Sequence, residues 1–75
     1  MAAELNQINP RKLANSKWTA VHPQNREKHF MVTGVIFDEK GLVTTCTLEA
    51  VLSRRELEID WRDLKQAEQW QQGWT

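Results

Sequence analysis

Hydrophobic and polar positions alternate along most of the chain with a period of two, which is typical of β-strands. Residues 16–21 alternate, with Trp18 and Ala20 on one side, and residues 29–37 are rich in aromatic and β-branched side chains. Residues 42–52 alternate again, and residues 57–59 form a short further segment. The pattern predicts three or four antiparallel strands, with residues 29–37 as a central strand covered on both faces.

Turn-forming residues separate these segments. The first strand is expected to end at His22-Pro23-Gln24-Asn25, because proline lacks an N–H donor. Gly41 in Asp38-Glu39-Lys40-Gly41 supplies the positive φ that closes a hairpin, and a second turn is expected at residues 53–56. Asn9 before Pro10 predicts one helical turn over residues 10–14. Connections this short indicate a meander, in which neighbours in sequence are neighbours in the sheet.

The period changes to 3.6 after residue 59. Asp60 is a suitable N-cap, and Trp61, Leu64 and Trp70 recur at helical spacing before Gly73, a suitable helix stop. We therefore predict an amphipathic α-helix over residues 61–71. The fold class that follows is α+β, a small antiparallel β-meander of three to four strands with a C-terminal α-helix packed on it. Residues 1–8 are expected to form a flexible leader, and residues 9–75 a single domain.

The chain has 75 residues, so each large side chain matters to the core. The chain contains four tryptophans and no tyrosine, and we expect the tryptophans to be mostly structural. The alternative, an exposed aromatic binding surface, requires at least one tryptophan in solvent. The predicted core consists of Trp18, Phe30, Val32, Ile36, Leu48, Ala50, Ile59, Trp61, Leu64 and Trp70.

Composition excludes collagen, low-complexity and disulfide-scaffold classes. The single cysteine, Cys46, has no internal disulfide partner, which favours a reducing compartment. The first residues lack the features of a signal peptide, and the longest apolar run, residues 35–37, is far shorter than a membrane span. The expected location is cytoplasmic, with no membrane contact.

The residues that could carry chemistry have ordinary structural roles. Cys46 lies in the middle of a strand on its apolar side, where cysteine acts as a small hydrophobe. Both histidines have ordinary surface settings, and the acidic residues near position 60 suit a turn, a solvent-facing strand and a helix start. Metal-ligand spacing and phosphate-binding loops are absent from the sequence. We expect no enzyme activity, no metal and no cofactor.

Several motifs together resemble a known family. They are Asn9-Pro10, Lys12-Leu13, Ser16-Lys17-Trp18-Thr19-Ala20, Pro23, Glu27-Lys28-His29-Phe30, Leu48-Glu49-Ala50-Val51, Asp60-Trp61-Arg62, Leu64 and Trp70-x-x-Gly73-Trp74. This set, spanning about residues 9–74, resembles the small tryptophan-rich bacterial proteins of unknown function. The resemblance implies one intact domain of a bacterial cytoplasmic protein.

The charge distribution leaves a binding surface as the main functional candidate. The formal net charge is zero, yet basic side chains outnumber acidic ones five to two in residues 1–37, and acidic side chains outnumber basic ones eight to five thereafter. The predicted binding surface comprises Arg11, Lys12, Lys17, Arg26, Lys28 and His29. We expect a non-catalytic binding or adaptor module with a protein partner or self-association. The alternative is weak binding of single-stranded RNA or DNA through the basic N-terminal half.

Overall fold

The computed structural model describes residues 5–75, which form one five-stranded antiparallel sheet. The strands are β1 (Lys17–Gln24), β2 (Glu27–Phe37), β3 (Val43–Ala50), β4 (Glu56–Ile59) and β5 (Trp70–Gln72). Their order across the sheet is β4-β3-β2-β1-β5. Two short 3₁₀ helices, Pro10–Lys12 and Trp61–Lys65, complete the regular structure of the described residues.

The predicted meander is confirmed for β1 to β4, and its turns follow the local chemistry. Asp38 accepts hydrogen bonds from the main-chain N–H groups of Lys40 and Leu42, and Gly41 has a φ of +81°. At the first 3₁₀ helix, the Asn9 side chain accepts from the N–H of Arg11, as expected of an N-cap. Strand β1 runs through Pro23, and its pairing with β2 is irregular between Thr19 and Gln24.

The prediction of a C-terminal α-helix, and with it the α+β class, is wrong. Asp60 does cap a helix, but this is the 3₁₀ helix Trp61–Lys65, and the chain then extends into β5, which pairs with β1. The connection crosses one face of the sheet, from the edge at β4 to the opposite edge. Four strand spacings amount to about 19 Å, whereas an α-helix over residues 61–71 rises only about 16 Å. The observed connection consists of the 3₁₀ helix, an extended Gln66 and a turn over residues 67–69 that leads into β5.

Contacts with the N-terminal segment also compete with an α-helix here. The Asn6 side-chain amide donates to the carbonyls of Leu64 and Trp70, at 2.7 and 2.9 Å, and the Asn6 N–H donates to that of Lys65. In an α-helix over residues 61–71, the carbonyls of Leu64 and Lys65 would instead accept hydrogen bonds from N–H groups four residues later. Of the leader predicted over residues 1–8, residues 1–4 lie outside the described part of the chain. Its flexibility stays a prediction.

The core lies between the crossing connection and one face of the sheet. Its buried side chains are Leu13, Trp18, Phe30, Val32, Cys46, Leu48, Ala50 and Leu64, and Ile59, Trp61 and Trp70 pack against them half-buried. The Trp70 ring meets that of Phe30 edge-on, with centroids 5.2 Å apart. The buried Trp18 donates its indole N–H to the Ser16 hydroxyl. The tryptophans at 18, 61 and 70 are thus structural.

Ile36 is the predicted core residue that lies outside the core, because a bulge in β2 changes the side to which it points. Val32 pairs with Leu48, but the next pair is Gly34 with Thr47, so β2 contains one extra residue at Thr33. Beyond the bulge, Val35 takes the core side, whereas Ile36 pairs with Thr45 on the other face and is 59% exposed.

Candidate binding face

The face of the sheet opposite the core is the candidate site, here called the open face. Strand register and alternation assign its residues in rows across the strands. The prediction that β2 is covered on both faces is wrong, because among residues 5–75 only the last three lie across this side. Its members are Lys17, Thr19, His29, Met31, Gly34, Ile36, Thr45, Thr47, Glu49, Glu56, Glu58, Gln71 and Trp74.

Trp74 reaches the open face because the chain reverses after β5. Gly73 has a φ of +82°, a conformation that suits glycine, and its N–H donates to the Lys17 carbonyl. The Thr19 hydroxyl then donates to the Gly73 carbonyl at 2.6 Å and accepts from the Thr75 N–H at 3.2 Å. These contacts bury Thr19 and hold the segment 73–75 against β1.

The Trp74 ring is held at one end of the open face with part of its surface in solvent. Its indole N–H donates to the Phe30 carbonyl at 2.9 Å, and 42% of the residue stays exposed. The Lys17 ammonium lies 4.8 Å from the ring centroid, which is cation–π distance. The His29 ring is 6.0 Å away and tilted, and its Nε2 donates to the Thr75 main-chain oxygen. Lys17, His29 and Trp74 together are called the Trp74 cluster below.

The remainder of the open face changes from apolar to acidic. Met31 and the exposed Ile36 lie along β2, with Gly34 between them. Towards the other edge, β3 contributes Glu49, and β4 contributes Glu56 and Glu58. A strip with apolar side chains therefore separates the basic, aromatic side of this face from its acidic side.

The structure divides the predicted binding surface among three places. Arg11 and Lys12 belong to the first 3₁₀ helix, near the connection that covers the core. Arg26 and Lys28 lie at the β1–β2 hairpin end, where they line a cleft with His29 and the exposed Val51 and Leu52. Lys17 and His29 join Trp74 on the open face.

Sequence reasoning missed Trp74 and the three glutamates as parts of one surface. The alternation of Glu58 with Leu57 and Ile59 did predict a solvent-facing side for Glu58, whereas Glu56 was expected in the turn before this strand. Their relation to Lys17 depends on pairing between strands that are distant in the sequence, which local patterns do not report.

The surroundings of Cys46 do not favour a nucleophile. Burial raises the pKa of its thiol, and the negative charge of Asp60 raises it further. Asp60 itself stays ionised, because its hydrogen bonds from Arg62 lower its pKa to about 2. A cleft of about 280 Å³ borders Cys46, Asp60 and Arg62. Within residues 5–75, no three histidine, cysteine, aspartate or glutamate side chains gather in a way that could hold a metal ion.

Glu27 is another carboxyl group with a strongly lowered pKa, and its contacts stabilise the fold. It is 5% exposed, accepts from both the Ser53 hydroxyl and the Arg55 guanidinium, and has a pKa lowered to about 2 chiefly by the Arg55 hydrogen bonds. These contacts tie the start of β2 to the turn between β3 and β4.

Comparison with known proteins gives one finding about the family. A family model described as Tryptophan-rich protein (DUF2389) matches residues 16–75, a range that contains all four tryptophans. No curated protein and no solved structure matches the chain. None of the helices within residues 5–75 has the length and apolar character needed to cross a membrane.

Proposed function

The chain belongs to the tryptophan-rich family DUF2389, whose function is unknown. We propose that it is a non-catalytic binding module. Its open face docks on a folded protein, either a different chain or a second copy of itself. A cytoplasmic location, predicted from the single cysteine, is part of the same proposal.

The observation that carries this proposal is the position of Trp74. A large aromatic side chain that is ordered and 42% exposed is the kind of residue that dominates binding energy at protein interfaces. Its hydrogen bond to Phe30 and its contact with Lys17 already fix the ring in the free protein. Little side-chain entropy is then lost on binding, which favours affinity.

Two apolar side chains extend this anchor across the open face. Met31 lies in the same row as Lys17, and Ile36 lies further along β2 with most of its surface exposed. An apolar strip with charged residues on either side agrees with the anatomy of a protein–protein interface, in which a less polar centre has a polar rim.

The distribution of charge supports a protein partner over single-stranded nucleic acid. A nucleic-acid groove needs cations along the path of the phosphates, but Arg11 and Lys12 lie near the connection that covers the core, whereas Lys17 and His29 lie on the open face. The acidic side of the open face would in addition repel a strand that stacked on Trp74. Nucleic acid is therefore one of the outcomes that the test distinguishes.

Photo-crosslinking in the producing cell tests the proposal. The apolar crosslinker p-benzoylphenylalanine replaces either Ile36 on the open face or, as a matched control, Leu52 in the exposed turn after β3. We expect a nuclease-resistant protein adduct from position 36 and none from position 52, and loss of the adduct when Trp74→Ala is added. An adduct that nuclease removes would indicate nucleic acid instead. Absence of any adduct at position 36 would refute docking through the open face.

A further inference from the structure

The open face has a charge pattern that is complementary to itself. Lys17, Met31, Glu49 and Glu56 are direct neighbours in register on four successive strands, β1, β2, β3 and β4. Strands lie about 4.8 Å apart, so Lys17 and Glu49 stand at equal distances, about 5 Å, on either side of Met31. Glu58, in the adjacent row, adds a further carboxylate on β4.

These charges do not neutralise one another within the described chain. Among residues 5–75, the ion pairs are Arg55 with Glu27 and Arg62 with Asp60, and neither involves the open-face residues Lys17, Glu49, Glu56 or Glu58. The ammonium of Lys17 lies over the Trp74 ring instead. Basic and acidic sides are therefore both available to a partner.

We propose that the open face binds the open face of a second copy of this chain, related by a two-fold axis parallel to β2. This inference rests on the proposed function and names its partner. Rotation about β2 exchanges the two sides of the sheet, so β1 of one copy lies over β3 of the other, and β5 over β4. Lys17 of each copy then faces Glu49 of the other, while Met31 meets Met31 on the axis.

The alternative two-fold axis, across the strands, is disfavoured by the same charges. It would place β1 over β1 and β4 over β4, so that the basic side met the basic side and the acidic side met the acidic side. Like charges facing each other cost several kcal/mol in an interface. The axis along β2 avoids this and gives the nearly aligned strand directions of β-sandwiches.

The size of the face agrees with a dimer. The two long extents of the molecule are 37 and 36 Å, against a thickness of 16 Å, so the molecule has broad sides on which a contact of the ~800 Å² per partner of a standard interface can be made. The Trp74 cluster of each copy would lie against the acidic side of the other, with the two clusters at opposite edges of the interface. An isologous contact of this kind closes on itself and forms no fibres.

Exchange of charges between the two sides provides the decisive experiment. Sedimentation equilibrium measures the dimer dissociation constant for the wild-type chain, Lys17→Glu, Glu49→Lys and an equimolar mixture of the two variants. Each reversal alone places like charges opposite each other twice per dimer, and we expect dimerisation about tenfold weaker or worse. The mixture restores both opposite-charge pairs in a heterodimer, so we expect association to return close to the wild-type value.

Matched controls carry the same charge changes away from the open face. Lys40→Glu and Glu39→Lys both lie in the exposed turn between β2 and β3 and should leave dimerisation unchanged. Circular dichroism and thermal unfolding of each variant show whether the fold is retained. Because rescue requires both variants to be folded, restored association in the mixture also excludes misfolding as the cause of the single losses.

The outcomes separate this inference from the proposed function. A wild-type chain that stays monomeric up to about 1 mM, or a mixture that shows no rescue, overturns the face-to-face dimer. If a different protein is crosslinked at position 36 under the same conditions, the open face remains a docking surface with another occupant. If position 36 gives no adduct and the chain is monomeric, both proposals fail.

Discussion

Asn6 offers a direct test of why residues 61–71 do not form an α-helix. Its side-chain amide donates both of its protons, one to the Leu64 carbonyl and one to the Trp70 carbonyl. The substitution Asn6→Asp preserves the size of the side chain but removes both donors, since an ionised carboxylate only accepts hydrogen bonds. The carboxylate would then face two carbonyl oxygens.

The expected cost follows from these two contacts. Loss of a hydrogen bond that leaves a partly buried acceptor unpaired costs about 1–3 kcal/mol, so we expect Asn6→Asp to lower the free energy of unfolding by about 2–5 kcal/mol. For a domain of this size, one kcal/mol corresponds to a shift of about 4–8 °C in Tm. The variant should therefore melt about 8–40 °C below the wild type, a large loss for a small domain.

Asn9→Asp is the matched control, because the same chemical change occurs where the side chain acts as an acceptor. The Asn9 side-chain oxygen accepts from the Arg11 N–H, and aspartate serves equally well at an N-cap. We expect this variant to melt within a few degrees of the wild type. Thermal and urea unfolding, followed by tryptophan fluorescence, compares the three proteins.

The pH dependence of Asn6→Asp provides a second measurement. Two facing carbonyls disfavour the ionised form, so the folded-state pKa of the introduced carboxyl should rise above its usual value of about 3.9. The difference in free energy of unfolding between Asn6→Asp and the wild type is then largest above the folded-state pKa of this carboxyl. It becomes smaller as the pH falls below that pKa, because the protonated acid has one hydrogen-bond donor. Equal stability of Asn6→Asp and Asn9→Asp at neutral pH would refute the role of Asn6 in holding the connection.

Two further predictions concern the core and an ion pair. Leu64→Ala, at a fully buried position, should cost about 2–5 kcal/mol in urea unfolding, whereas Leu52→Ala, at a position 76% exposed, should stay within about 0.5 kcal/mol; similar costs for the two variants would contradict the assigned core. Glu27 has a folded-state pKa of about 2 against an ordinary value of 4.5, so its contribution to stability is complete above pH 4.5 and is lost as the pH falls towards 2. Thermal unfolding between pH 2 and 7 should show a weaker acid dependence for Glu27→Gln than for the wild type, and identical profiles would contradict this.

The four tryptophans have different roles despite their common chemistry. Trp18 is almost fully buried, and Trp61 and Trp70 are half-buried and pack against the core. Trp74 lies on the opposite face, beyond the turn at Gly73. A lysine ammonium lies over the Trp74 ring and another over the Trp61 ring, so this contact does not distinguish the two roles. Tryptophan content alone therefore does not separate a structural role from a binding role, and the proposed docking depends on the one ring that is outside the core.

Local patterns were sufficient for the meander. Period-two alternation and the turns expected at residues 38–41 and 53–56 predict β1 to β4 near their observed positions, although Glu56 of the second turn belongs to β4. The Asn9 and Asp60 caps were also predictable, because a capping side chain bonds to an N–H only two residues away. In these segments, the residues that decide the conformation are neighbours in sequence, so the sequence by itself determines the local structure.

Where the local patterns predicted the wrong structure, contacts between residues distant in the sequence determined the observed one. The spacing of Trp61, Leu64 and Trp70 suits a helix, but Asn6, which is 58 and 64 positions away from its two partners, binds this part of the backbone. The edge of β1 pairs with the residues that follow it. Likewise, the extra residue at Thr33 turns Ile36 out of the core only because β2 pairs with β3 in that register. The open face, with Lys17, Met31 and Glu49 in one row, exists only once three strands are hydrogen-bonded side by side. Alternation assigns a side chain to one face of its own strand, whereas only the register of the folded sheet determines which residues of other strands lie beside it.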